Sequence, residues 1–217
     1  MKITQISIKN FRLLEDVKLC LEDITTVIVG RNNSGKTSLT ELFRHLLDER
    51  SLKFKLEDFS LGIQEQFWDS YKLYRNGKEE TDVRNSLPLI ATTLYVEYEK
   101  DEDLGPLAHF IIDLNEECTS AQINIRYALG PGKIKPLFAD LDEDKSVFFK
   151  TLKERIPNLF EATVEAQDPN DSTNRKLLEV TNLRSVLQFA FIDARRRGNP
   201  DRYRAWKRAP DSGSAQR

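Results

Sequence analysis

"VIVGRNNSGKTSLTELFRHLL", residues 27–47, passes from β-branched residues through a polar loop bounded by glycines into a helical pattern. Gly30, Gly35, Lys36 and Thr37 satisfy G-x-x-x-x-G-K-[ST], the spacing of a phosphate-binding loop. Glycines reach backbone conformations closed to other residues, so successive N–H groups can turn inward around an anion. A helix beginning at Gly35-Lys36 points its free amides and the positive end of its dipole at the same anion. The pattern arises by chance roughly once in a hundred chains of this size, given ordinary Gly, Lys and Ser/Thr usage. The competing reading is a glycine-rich turn with a surface lysine.

The flanks supply the context the motif requires. "ITTVIVG" reads as a buried strand ended by a glycine. Leu39, Leu42, Phe43, Leu46 and Leu47 recur at the spacing of one helix face. The motif then assigns roles: Gly30, Asn32, Asn33, Ser34, Gly35, Lys36, Thr37 and Ser38 wrap the phosphates of ATP. Lys36 carries the charge for the β- and γ-phosphates and is the one catalytic candidate. Thr37 is the expected Mg²⁺ ligand.

Working outward, apolar alternation at Ile3, Ile6 and Ile8, then at Leu14, Val17, Leu19 and Leu21, predicts a hairpin turning near Asn10 to Asp16. Residues 51 to 86 are polar, with scattered aromatics that suit packing better than base stacking and a turn at Asn76-Gly77. Three stretches between 90 and 130 alternate with period two and predict an antiparallel meander. A helical segment follows over about 143–160, stopped by Pro157, then a short strand at "RKLLEV" and an apolar segment, "LRSVLQFAFIDARR". The expected organisation is one lobe over 1–197 and a loose basic tail over 198–217.

Composition excludes several classes. Formal charge is -2, from 33 Lys+Arg against 35 Asp+Glu, so no basic field covers the whole chain. The charge is uneven: from Asp193 onward eight Lys/Arg stand against three Asp. That tail could touch DNA phosphates, or mark a truncated or altered reading frame, or be a segment with no dedicated site. Cys20 and Cys118 are too far apart in sequence and too few to suggest a disulfide framework or a zinc site. No apolar run approaches the ~20 residues needed to span a bilayer, and the N-terminus lacks a leader pattern. The expectation is a cytoplasmic protein with no membrane partner.

"ITQISIKNFR" (3–12), a second strand and "VGRNNSGKTSL" (29–39) together resemble the start of ABC-type ATPase heads in the RecF, SMC and OLD (overcoming lysogenization defect) families. The SMC-like loop reads G-x-N-G-S-G-K-S; here Asn33 replaces a glycine, and the pair Asn32-Asn33 is more similar to OLD-type ATPases. "FAFIDARR" (189–196) also resembles that group. The resemblance implies an α/β P-loop fold: an ABC-type head's N-terminal lobe with a mixed sheet and an antiparallel β-subdomain. It implies Mg-ATP as cofactor, a homodimer or head-to-head partner, and DNA contact through the full-length protein or a partner. It also implies that Arg12 lies near the nucleotide; a plain surface arginine is an equal reading.

Other parts of such a head are missing from the sequence: no apolar strand ends in Asp-Glu, and no L-S-G-G-Q-like signature or switch histidine is found. His45 and His109 read as packed or solvent-facing, Asp193 lacks an adjacent Glu, and Gln64, Gln66 and Gln122 are unranked candidates for the Q-loop glutamine. The chain is therefore expected to bind ATP with little turnover alone, as the front of an OLD-like ATPase/endonuclease in DNA processing or anti-phage defence. A small P-loop kinase and a non-enzymatic, nucleotide-sensing regulatory subunit are the alternatives.

Overall fold

Alternating apolar residues build a hairpin at the front of the chain, in which strand β1 (Lys2–Phe11) pairs antiparallel with β2 (Leu14–Cys20). The turn is tight, with Asn10 at φ 64° and Arg12 at φ 47°, left-handed conformations that cost an ordinary side chain about 1–2 kcal/mol. The computed structural model describes residues 1–47, 52–112, 115, 117–141 and 144–187. After the hairpin come α1 (Lys36–Leu47), α2 (Leu61–Arg75), α3 (Glu80–Ser86), β3 (Ile90–Glu97), β4 (Ser120–Leu129), α4 (Ile134–Phe138), α5 (Lys145–Leu159), β5 (Phe160–Gln167), β6 (Arg175–Leu178) and α6 (Leu183–Val186).

The strands form one sheet in the order β2-β1-β3-β4-β5-β6, and all five pairings are antiparallel. This corrects the expected mixed sheet: among the described residues no parallel pair occurs. Register places Leu94 opposite Ile123 and Ile123 opposite Ala166, with Ile125 between Thr92 and Val164. One face is therefore a column of buried apolar side chains. The other face carries a polar ladder in which the Thr93 hydroxyl donates to Asn124 Oδ1 (2.9 Å) and Asn124 Nδ2 donates to Gln167 (2.8 Å).

Residues 54 to 74 supply packing, as expected of them. Phe54, Phe59, Phe67 and Tyr71 are buried, Phe59 stacking edge-on against Phe67 and Phe160, and Phe54 against Tyr127. In α5 the buried residues are Phe148, Leu152 and Ile156, one helix face, and Asp144 caps the N-terminus by accepting from the Ser146 and Val147 amides. Asn76 ends α2 and Gly77 follows at φ 67°, as the Asn-Gly pair implied.

Three expectations need correcting. Among the described residues of "LAHFIIDLNEE" no strand forms: Gly105-Pro106 opens a 3-10 turn at Gly105–Leu107 that buries Leu107 and Phe110, a spacing of three that overrides the alternation. Among the described residues the meander over 90–130 thus has two strands rather than three, and His109 is exposed on a turn. Pro157 does not stop α5, which runs on to Leu159; near a helix end a proline removes little. Finally, "ITTVIVG" is neither buried nor paired. Among the described residues it has no strand partner, and Ile24, Val27 and Val29 are 96%, 75% and 84% exposed. β-branched residues favour a strand only where a neighbour completes the ladder. Asp193 and the tail over 198–217 lie outside the described residues.

Candidate nucleotide site

Leu39, Leu42 and Leu46 anchor α1 by burying one face of the helix, Leu42 completely. This fixes the helix N-terminus at the end of the loop Gly30–Gly35. The first intrahelical bond runs from Leu39 N–H to the Gly35 carbonyl (2.9 Å), which leaves the amides of Lys36, Thr37 and Ser38 ahead of any helical acceptor. These orphan donors and the helix dipole make the mouth of α1 attractive to an anion.

Two left-handed residues shape the loop. Asn33 has φ 64° and Gly35 has φ 88°, separated by Ser34, and this alternation turns consecutive amides to one side as an anion nest does. Asn33 stands where the SMC-like pattern has glycine, and the backbone explains the exchange: asparagine is the side chain that best tolerates this conformation after glycine. Gly35 has a second reason for being glycine, since a Cβ there would lie 2.9 Å from Leu14 Cδ2. The β1–β2 turn thus presses directly on the loop. At Gly30 a Cβ would sit 2.6 Å from Ser34 Oγ, filling the space across which the loop closes.

Lys36 spans that closure. Its Nζ donates to the carbonyls of Gly30 (2.7 Å) and Arg31 (2.6 Å) and to Ser34 Oγ (3.2 Å). All three partners are neutral oxygens, so the ammonium is oriented but its charge is left for an incoming anion. Asn32, Asn33, Ser34 and Thr37 are exposed and Ser38 is buried. The residues read from the motif are therefore brought together in one loop, with Thr37 at its open side. Among the described residues no group of three or more His, Cys, Asp or Glu is arranged to hold a metal. A magnesium ion bound through one hydroxyl, phosphate oxygens and water does not need such a group.

Arg12 is placed differently from the loop residues. Its Nε and its terminal nitrogen both reach Asp58 Oδ1 at 2.8 Å, and its amide donates to the Asp58 carbonyl. Asp58 is buried, takes a further bond from the Lys55 amide (2.9 Å), and lies 3.9 Å from His45 Nε2. His45 packs against Phe54, ring centroids 4.9 Å apart. This cluster ties the β1–β2 turn to the back of α1 and so supports Leu14 against Gly35. Sequence reasoning missed Asp58 and Leu14, whose roles depend on contacts far along the chain. Of the glutamine candidates, Gln64 donates to the Leu56 and Phe59 carbonyls, Gln122 to Asn124, and Gln66 faces solvent.

A protein-family model described as an AAA ATPase domain matches residues 1–192. The chain belongs to that AAA ATPase domain family. A search of curated proteins finds no match. Membership makes the chain a P-loop ATPase domain that binds nucleotide, with ATP and magnesium as the family's usual ligands. Among the described residues of this AAA ATPase domain, no helix is long and apolar enough to cross a membrane.

Proposed function

We propose that Gly30–Ser38 is the ATP site of this AAA ATPase domain, and that the domain is the nucleotide-binding lobe of an OLD-like ATPase acting in DNA processing or anti-phage defence. The observation that carries the first part is the paired left-handed geometry at Asn33 and Gly35, with Lys36 tethered across the loop. The amides of Asn32 to Ser38 would hold the phosphates, Lys36 would face the β- and γ-phosphates, and Thr37 would ligate magnesium. The OLD-like assignment rests on Asn32-Asn33 and the resemblance of residues 3–12.

Bound Mg-ATP supplies a γ-phosphoryl group activated for transfer to water. The chain's own contribution is to bind and orient it; among the described residues Lys36 bonds only neutral oxygens of the loop, and no carboxylate is held there by it to place the attacking water. Turnover by this chain alone is therefore slow, and a head-to-head partner supplies what is missing. DNA contact belongs to the full-length assembly in this reading. The all-antiparallel sheet weighs against the kinase alternative, whose core is parallel.

A thermal-shift titration tests the site. Excess Mg-ATP at ~100 Kd stabilises a specific binder by about 2.7 kcal/mol. The melting temperature of the native chain should rise and that of Lys36→Ala should not. Equal shifts in both, or none in either, would remove the assignment.

A further inference from the structure

Strand β2 (Leu14–Cys20) ends the sheet on one side, and among the described residues no backbone bond reaches its outer edge. The Leu21 amide donates to the Thr4 carbonyl (2.8 Å), and Leu19 and Val17 stand opposite Ile6 and Ile8 in the same register. Hydrogen-bonded pairs alternate along an antiparallel ladder, so the N–H and C=O groups of Asp16, Lys18 and Cys20 point away from β1. All three residues are exposed. Asp16 and Lys18, opposite Lys9 and Ser7, share the polar face of the sheet. A seven-residue edge with open donors and acceptors is a template for another strand.

We propose that this edge pairs with the β2 edge of a second copy of the chain, antiparallel about a two-fold axis through Val17. The inference does not depend on the nucleotide reading. Charge selects both the occupant and the register. Outward-pointing residues must oppose one another, so the alternatives nearest to Val17 centre the pairing on Asp16 or on Lys18. The first sets two aspartates face to face, and the second sets two lysines. Centring on Val17 puts each Asp16 opposite a Lys18, twice over. Unlike charges directly across a ladder stabilise it and like charges destabilise it.

Both charges are available for this. Lys18 joins no ion pair among the described residues, and Asp16 only approaches Lys9 at 3.8 Å with both side chains exposed. The two Asp16–Lys18 pairs exchange main-chain hydrogen bonds, and Val17 meets its own copy at a non-hydrogen-bonded position with Cα atoms ~4.5 Å apart. Val17 is only partly buried, so it gains apolar contact there. A lysine on an edge ordinarily deters pairing; the aspartate two residues before it makes this edge complementary to itself. The opposite edge, β6, has four residues and begins with Arg175 and Lys176, which oppose self-pairing. Leu14, which abuts Gly35, lies three residues from the axis, so the two copies of Leu14 stand ~20 Å apart along the strands. This contact therefore differs from one that closes two copies over a shared nucleotide.

Sedimentation equilibrium of the full chain without nucleotide tests the pairing. The native chain should form a dimer that dissociates on dilution. Lys18→Asp and Asp16→Lys each set like charges opposite one another at both pairs, and each alone should weaken the dimer at least about tenfold. An equimolar mixture of the two variants restores unlike pairs and should associate within about threefold of the native chain. A native chain that is monomeric up to ~1 mM overturns the proposal, as does a dimer that forms only with Mg-ATP. Single variants that dimerise normally, or a mixture no tighter than its parts, also overturn it. Asp16→Lys faces Lys9 within its own hairpin; should it fail to fold, Val17→Cys in a Cys20→Ser/Cys118→Ser background keeps the test open. The Cα spacing at the axis is one a disulfide spans, so oxidation with diamide should yield a disulfide-linked dimer, and its absence refutes the pairing.

Discussion

Replacing Asn33 separates the role of its backbone from that of its side chain. Asn33 is exposed and holds φ 64°, so its substitution disturbs no packing and acts through the loop's shape. A left-handed residue with a Cβ costs roughly 1–2 kcal/mol, and asparagine pays least of the ordinary side chains. Asn33→Ala therefore loses about 1 kcal/mol of preorganisation, near fivefold in Kd for Mg-ATP, since 1.4 kcal/mol is tenfold. A β-branched residue fares worse: Asn33→Val should cost about 2 kcal/mol, near thirtyfold. Asn33→Gly removes the strain but adds chain entropy of about 0.5–1 kcal/mol, and should stay within about threefold of the native value. Isothermal titration calorimetry at fixed magnesium measures all four proteins, and melting without nucleotide should barely change across the series. If glycine weakens binding as much as alanine, or valine binds normally, the nest geometry is not what selects the phosphate.

Other outcomes follow from the core. Leu42→Ala, at a fully buried position under the loop, should destabilise by about 2–5 kcal/mol in urea denaturation and loosen nucleotide binding with it. Asp58→Ala leaves Arg12 and the Lys55 amide without their acceptor; because Arg12 is a third exposed, the cost should be about 1–3 kcal/mol, and a double-mutant cycle with Arg12→Ala should recover part of it. Burial raises the Tyr127 hydroxyl to a pKa of about 12. The folded state thus holds this proton more tightly than the unfolded one. Stability from Tyr127 is complete below pH 10 and falls between pH 10 and about 12, by as much as ~2.7 kcal/mol. Tyr127→Phe should be less stable than the native protein by about 1 kcal/mol at pH 8, and that gap should close or reverse by pH 11.5. A constant gap would mean the hydroxyl is not buried.

The shape of the Gly30–Gly35 loop was legible because what sets it is local: a glycine that must be left-handed, a lysine that reaches back and a helix that starts there all sit within nine positions. The same holds for the hairpin of β1 and β2, for α5 and for the short strand β6, where period and capping residues agree. Legibility failed where the deciding contacts are distant in sequence. Arg12 could not be placed without Asp58, 46 residues later. "LAHFIIDLNEE" alternates well, yet burying Leu107 and Phe110 together selects a turn instead. α2 and α3 were hidden in a polar stretch because their buried faces, such as Phe67 and Tyr71, are narrow and interrupted by charge. "ITTVIV" was read as buried from composition alone, and composition does not say which neighbour does the burying.

The uncovered run over residues 24–29 has a consequence for how the protein must be made. As it leaves the ribosome the polypeptide displays an uncharged, β-prone hexapeptide with no proline, the kind of sequence that seeds cross-β association. Fast ribosomes, low temperature and a ready supply of holdase chaperone should therefore alter soluble yield more than changes elsewhere on the surface do.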